Sequence, residues 1–187
     1  MEVESLAIED VKLIRPRKFG DDRGFFSETW NADTFKEAGL DLDFVQDNHS
    51  YSAAKGVLRG LHYQTPPFAQ DKLVRCIRGS ILDVAVDIRK GSPTFGQYVS
   101  AVISSENWTQ ILVPKGFAHG FLTLEPDTEV LYKVTALYSK PNDANIAWDD
   151  PDLAIDWGLG TEKPTLSDKD KVAPSFRETD TGFTYSA

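Results

Sequence analysis

The chain contains three histidines, and two of them, His62 in GVLRGLHYQTPP and His119 in PKGFAHGFL, lie beside strand-like segments. A histidine in that position can transfer protons, bind a metal or serve the structure. His49, in QDNHSYS, lacks that setting and reads as structural. A metal on a β-barrel normally asks for three or four protein ligands, often begun by a His-x-His pair on one strand. Two residues past His62 stands Gln64, and His119 is followed by Gly120 and Phe121, so Asp83 would have to complete a set. The pattern disfavours metal.

Proton transfer asks for a base near neutral pKa, a group that orients it, an acid on the opposite face of the substrate and a cation for developing charge. His62 can be the base, Asp83 or a C-terminal carboxylate such as Asp170 its partner, Tyr132 the acid and Lys72 the cation. On an unbroken strand Tyr132 and Tyr138 share a face about 20 Å apart, which suits a long ligand carrying a flat ring. The plainer alternative is two aromatics in a barrel wall. Arg59 and His62 are three residues apart and fall on opposite faces of a regular strand. Both can face one ligand only if the chain bulges, for which Gly60 is the natural place. Arg23, ahead of Gly24 in DDRGFFSETW, can reach a phosphate or stand exposed in a turn.

The elements that must carry these residues are mostly strands. The runs 72–88, 97–105, 109–114, 120–124 and 129–138 are rich in β-branched and aromatic residues and end at Gly, Pro, Asn or Asp. Along the first, Leu82, Val84, Val86 and Ile88 share one face, while Ile81, Asp83, Ala85 and Asp87 share a partly polar one. Only NADTFKEAGL (31–40) reads as a helix, with Asn31 or Asp33 as N-cap and Gly39 as C-cap. One short helix among many strands predicts an all-β sandwich or barrel, its polar strand faces lining a cavity open at one end. From about residue 158 the pattern dissolves into an irregular, Pro-containing surface arm, and no linker divides 1–187 into more than one domain.

The 187 residues suffice for a core without disulfides, and Cys76 stands alone. The start MEVESLAIEDVK has no signal-peptide character, and no apolar run approaches a membrane span, so the expectation is a soluble protein of a reducing cytoplasm. A net charge of -9, with scattered acids, speaks against nucleic acid as a partner. A small anion can still be held where a few Arg and Lys converge.

Taken together, DDRGFFSETW, FVQDNHS, GVLRGLHYQ, KLVRCIRGSILDVAVDIRKGSPTFG, VPKGFAHGF, LYKVTALY, WDDPDLAIDW and LSDKD closely resemble, in order along nearly the whole chain, the dTDP-4-dehydrorhamnose 3,5-epimerases of deoxysugar biosynthesis. The resemblance implies a cupin-like jelly roll, a homodimer with exchanged N-terminal strands, and catalysis with no metal or redox cofactor. The substrate it implies is a dTDP-sugar, dTDP-4-dehydro-6-deoxyglucose, whose ketone acidifies C3 and C5. By the same resemblance His62 is the base oriented by Asp170, Tyr132 the acid, and Lys72 the group beside the ketone oxygen. Arg23, Glu28, Gln46, Asp47, Asn48, Arg59, His119, Asp143 and Lys169 match binding positions, and Tyr138 matches the residue that stacks on thymine. Two departures stand out: Ala136-Leu137 replaces a polar residue and a tyrosine, and Asp143 occupies the place of a usual glutamate. The readings set against this one are a 3- or 5-mono-epimerase, a metal-dependent cupin enzyme, and a non-catalytic sugar-nucleotide-binding barrel.

Overall fold

A glycine at 79 divides the longest apolar run into two strands that enter different sheets, and the same punctuation recurs along the chain. The computed structural model describes residues 1–186. Its N-terminal half holds β1 (Glu2–Ser5), β2 (Lys12–Arg15), β3 (Phe19–Asp21), β4 (Gly24–Phe26), α1 (Ala32–Glu37), β5 (Gln46–Ser52), β6 (Leu58–Gln64), β7 (Lys72–Arg78) and β8 (Ser80–Asp87). There follow β9 (Tyr98–Ser104), β10 (Gln110–Val113), β11 (Phe117–Thr123), β12 (Thr128–Val134), β13 (Asp143–Asn145) and α2 (Asp168–Lys171).

Six strands pair in the order β1-β2-β10-β7-β12-β5, five in the order β13-β6-β11-β8-β9, and β3 with β4 form a separate hairpin. The two large sheets face each other as a jelly-roll sandwich. Their shared core draws Val74, Ile111 and Val130 from one sheet and Ile81, Ala85, Val99 and Phe121 from the other. Ile81 and Ala85 belong to the partly polar face of β8, so that face points between the sheets. The opposite face, with Val84, Val86 and Ile88, packs under Ile146, Leu153 and Trp157 and, from the C-terminal arm, Leu166, Phe176 and Phe183. The arm is irregular as expected, but it is anchored by the Val57–Thr165 bridge and contains α2. On the outside of the six-stranded sheet Phe35 of α1 is buried against Ile14, Leu73 and Leu112. Asn31 is the N-cap of α1, its side chain accepting from the Thr34 N–H. No helix of the described residues is long and apolar enough to cross a membrane.

The strand expected over 129–138 stops at Val134. Beyond it the Thr135 N–H donates to Asp71 O and the Thr135 hydroxyl to the Asp71 carboxylate, turning the chain away from the ladder. The 20 Å strand spacing of Tyr132 and Tyr138 therefore does not apply. The expected irregularity in β6 is present. His62 pairs with His119 and Arg59 with Phe121, so Gly60 and Leu61 together oppose Gly120 alone. This extra residue changes the parity of the strand, and Arg59 and His62 both line one cavity. Gly60 has φ +146°, and a Cβ there would sit 2.5 Å from Gly120 Cα. Replacing Gly60 by Ala should destabilise the protein by about 3 kcal/mol or more, since both strain and backbone overlap are incurred. Chemical denaturation checks this, and a loss below about 1 kcal/mol would contradict the close approach.

Candidate active site

Side chains from the inner faces of both sheets surround a cavity of about 550 Å³. From the six-stranded sheet come Lys72 of β7, Tyr132 of β12, and Gln46, Asn48 and Ser50 of β5. The facing wall supplies Arg59, His62 and Gln64 of β6 and His119 of β11, while Tyr138, Asp143, Lys169 and Asp170 reach in from β13, α2 and the loops. Period-two alternation decides the membership. On β5 the even-numbered residues turn inward, whereas Asp47 turns outward, is paired with Lys133 and borders a separate depression beside Trp30.

Two histidine–carboxylate pairs form. His62 Nε2 donates to Asp170 Oδ1 at 2.6 Å, and His119 Nε2 to Asp83 at 2.9 and 3.0 Å. Of the two partners open to His62, Asp170 is therefore the one it takes, and Asp83 belongs to His119. Asp170 is only 3% exposed, and burial by itself would raise its carboxyl. Hydrogen bonds from His62 and the Ser167 hydroxyl outweigh this and hold it below the ordinary carboxylate range. The Ser167 hydroxyl also accepts the Asp170 N–H, which fixes the start of α2 and with it the carboxylate. With Nε2 committed in this way, the free ring nitrogen of His62 is Nδ1.

Lys72 is buried, and its ammonium donates to His62 O at 3.1 Å. Burial pushes its pKa down to about 8 despite the opposing charges of Asp83 and Asp143. Burial, with a smaller contribution from Asp143, moves Tyr132 the other way, to a raised pKa against the pull of Arg59. Its phenol thus keeps its proton at neutral pH. Arg59 is braced by Tyr51 O at 3.0 Å and the Ser52 hydroxyl. At the mouth Lys169 pairs with Asp143, which also accepts from the Tyr138 hydroxyl at 3.3 Å. Among the described residues no three His, Cys, Asp or Glu side chains are grouped as metal ligands.

Eleven of the residues singled out in the sequence thus converge on one cavity: His62, Lys72, Tyr132, Asp170, Gln46, Asn48, Arg59, His119, Tyr138, Asp143 and Lys169. Arg23, Glu28 and Asp47 are not brought to it. Arg23 stands at the tip of the β3–β4 hairpin with an 89% exposed side chain bonded to Asp21, and Glu28 borders a different depression with Arg17 and Phe19. Sequence reading missed Ser50, Gln70 and Ser167. For Ser167 a signal existed in the S-x-x-D spacing of SDKD, a capping-box pattern; the other two carry none.

A model of the family described as dTDP-4-dehydrorhamnose 3,5-epimerase matches residues 5–178. A relative of that name from Sinorhizobium fredii is 54% identical, covering 99% of this chain and 94% of its own. A solved Legionella pneumophila structure, a dTDP-6-deoxy-D-glucose-3,5-epimerase in complex with dTDP-4-keto-L-rhamnose, superposes with a TM-score of 0.94 at 46% identity, covering 100% of this chain and 99% of its own. One from Bacillus anthracis, a dTDP-4-dehydrorhamnose 3,5-epimerase with TDP and PPi bound, gives 0.89 at 50% identity over 93% and 98%.

The buried ammonium of Lys72 has a consequence for stability. Its folded pKa of about 8 lies below the ordinary 10.5, so between these values the unfolded chain holds the proton and the folded one does not. Stability from this group therefore rises with pH through that window, and below it the buried charge weakens the fold. Lys72→Met should stabilise the protein by roughly 1 to 3 kcal/mol at pH 7 and by less near pH 10. Denaturation at the two pH values checks this; an equal effect at both would contradict it.

Proposed function

The chain belongs to the dTDP-4-dehydrorhamnose 3,5-epimerase family, and from that premise we propose how its cavity inverts C3 and C5 of dTDP-4-dehydro-6-deoxyglucose to give dTDP-4-dehydrorhamnose. The 4-ketone makes the hydrogens on both neighbouring carbons acidic. His62 Nδ1 takes the proton, and the C–H electron pair moves into a C=C bond as the carbonyl becomes an enolate. Asp170 steadies the imidazolium that results, while the Lys72 ammonium stabilises the enolate oxygen. Tyr132, whose proton is retained through burial, delivers it to the other face of the carbon, and the ketone re-forms with inverted configuration. Solvent then takes the proton from the imidazolium and reprotonates the Tyr132 phenolate, and the reset pair repeats the cycle at the second centre. One observation carries this reading: His62 and Tyr132 belong to β6 and β12, strands of the two facing sheets, so a sugar between them meets a base on one side and an acid on the other.

Arg59 and Lys169 supply positive charge for the diphosphate, with His119, Gln46, Asn48 and Asp143 as polar contacts and Tyr138 stacked on thymine. The protein acts as a homodimer. Support comes from β1, an edge strand with all four residues exposed, and from Phe19, Phe25 and Phe26, exposed on the β3–β4 hairpin. In such a dimer Arg23 and Glu28 of one chain complete the cavity of the other. The lone, buried Cys76 suits a cytoplasmic setting.

Turnover of the 4-keto sugar nucleotide in deuterated water should place deuterium at both C3 and C5. His62→Ala should abolish exchange, whereas Tyr132→Phe should retain exchange and lose inversion. Label at one carbon alone would make the protein a mono-epimerase, and no label would sink the mechanism. Sharing of Arg23 across the dimer predicts that Arg23→Ala and His62→Ala chains, each weak alone, recover roughly a quarter of intact sites when co-expressed. No recovery in a verified mixed dimer would assign Arg23 to its own chain.

A further inference from the structure

Residues 135–139 carry Tyr138 from β12 toward β13 outside any strand, and Ala136 and Leu137 bring no polar side chain to hold them. Main-chain groups outside a ladder must find partners elsewhere. Three glutamines provide them. Gln70 Nε2 donates to Ala136 O at 2.7 Å, and Gln46 Oε1 accepts the Tyr138 N–H at 3.0 Å. Gln64 does most: its Nε2 donates to Leu137 O at 3.2 Å and Phe68 O at 2.8 Å, and its Oε1 accepts the Ser139 N–H at 2.7 Å. Four consecutive residues thus each give one main-chain group to a glutamine. Gln64 grips both neighbours of Tyr138 and is itself 4% exposed, fixed within β6.

Tyr138 is 57% exposed, and its hydroxyl makes a single long contact with Asp143. The direction of its ring is therefore set by the backbone that bears it. We propose that Gln64 is a positioning residue for the nucleobase end of the ligand, locking the 136–139 segment so that Tyr138 stands ready to stack at the cavity mouth. This rests on the reading of Tyr138 as the stacking residue. A platform held before binding loses less freedom on binding, so its fixing registers as affinity for the nucleotide. Gln64 also borders the cavity, and a direct contact with the ligand is the rival explanation. A double-mutant cycle separates the two.

The probe is thymidine diphosphate, titrated into the full-length protein. Gln64→Met keeps side-chain length and removes all three hydrogen bonds, and should weaken binding roughly tenfold; Gln70→Met, which frees only Ala136 O, should weaken it roughly threefold. In a Tyr138→Ala background the further effect of either should shrink below about twofold. Undiminished loss in that background, or no loss in a folded Gln64→Met protein, would overturn the proposal. Thermal melts report folding, and if Gln64→Met does not fold, Gln70→Met carries the same cycle. Unchanged affinity in Tyr138→Ala itself would instead remove the stacking reading beneath.

Discussion

The cavity depends on β6 being one residue longer than the stretch of β11 it pairs with. Two glycines meet where the mismatch is absorbed: a Cβ on Gly60 would overlap the Gly120 backbone, and one on Gly120 would crowd Arg59 O and Gly60 Cα. Without that offset a pleated strand would send Arg59 and His62 to opposite walls. With it, a cation and an imidazole enter the same space and the ladder resumes, so that His62 stands directly across from His119. The two facing histidines then acquire their own carboxylates: His119 takes Asp83 from β8, and His62 takes Asp170 from beyond the sheet.

The protein as a whole is acidic, at -9, yet its cavity gathers Arg59, Lys72, Lys169 and two histidines. Asp83, Asp143 and Asp170 stand among them, bonded to His119, Lys169 and His62 respectively, which is how so many ionisable groups can share low-dielectric surroundings. Balance here is not neutrality of function. Lys72 is left with no carboxylate in contact, only a carbonyl, and so retains an unspent electrostatic pull toward an anion entering beside it. Tyr132, pushed the other way by the same burial, stays a proton donor.

Much of this was legible in the sequence, for physical reasons that also mark where legibility ends. The apolar alternation of 81–88 was legible because one face of β8 is packed under other chain segments. Gln46–Ser52 escaped notice because its inner face lines a polar cavity and its outer face meets solvent, so neither carries a hydrophobic signal. The same alternation explains Asp47: a motif of three polar residues in a row cannot put all three on one side of a strand. Tyr138 reached the cavity by another route than periodicity implied, since side-chain amides replace the ladder after Val134. Arg23 and Glu28 fall outside the cavity, the one at an exposed hairpin tip bonded to Asp21 and the other beside a separate depression, because a shared motif names residues without saying where the chain will carry them.

The partnership of His62 with Asp170 spans 108 positions of sequence. The imidazole lies on a strand completed early in the chain, whereas its carboxylate sits on a single turn of helix within the arm that wraps the outside of the sandwich. Both sheets are complete in sequence before that turn is made. A chain growing from its N-terminus therefore emerges with its walls before the carboxylate that orients the imidazole, so the His62–Asp170 pair is confined to chains whose arm has docked.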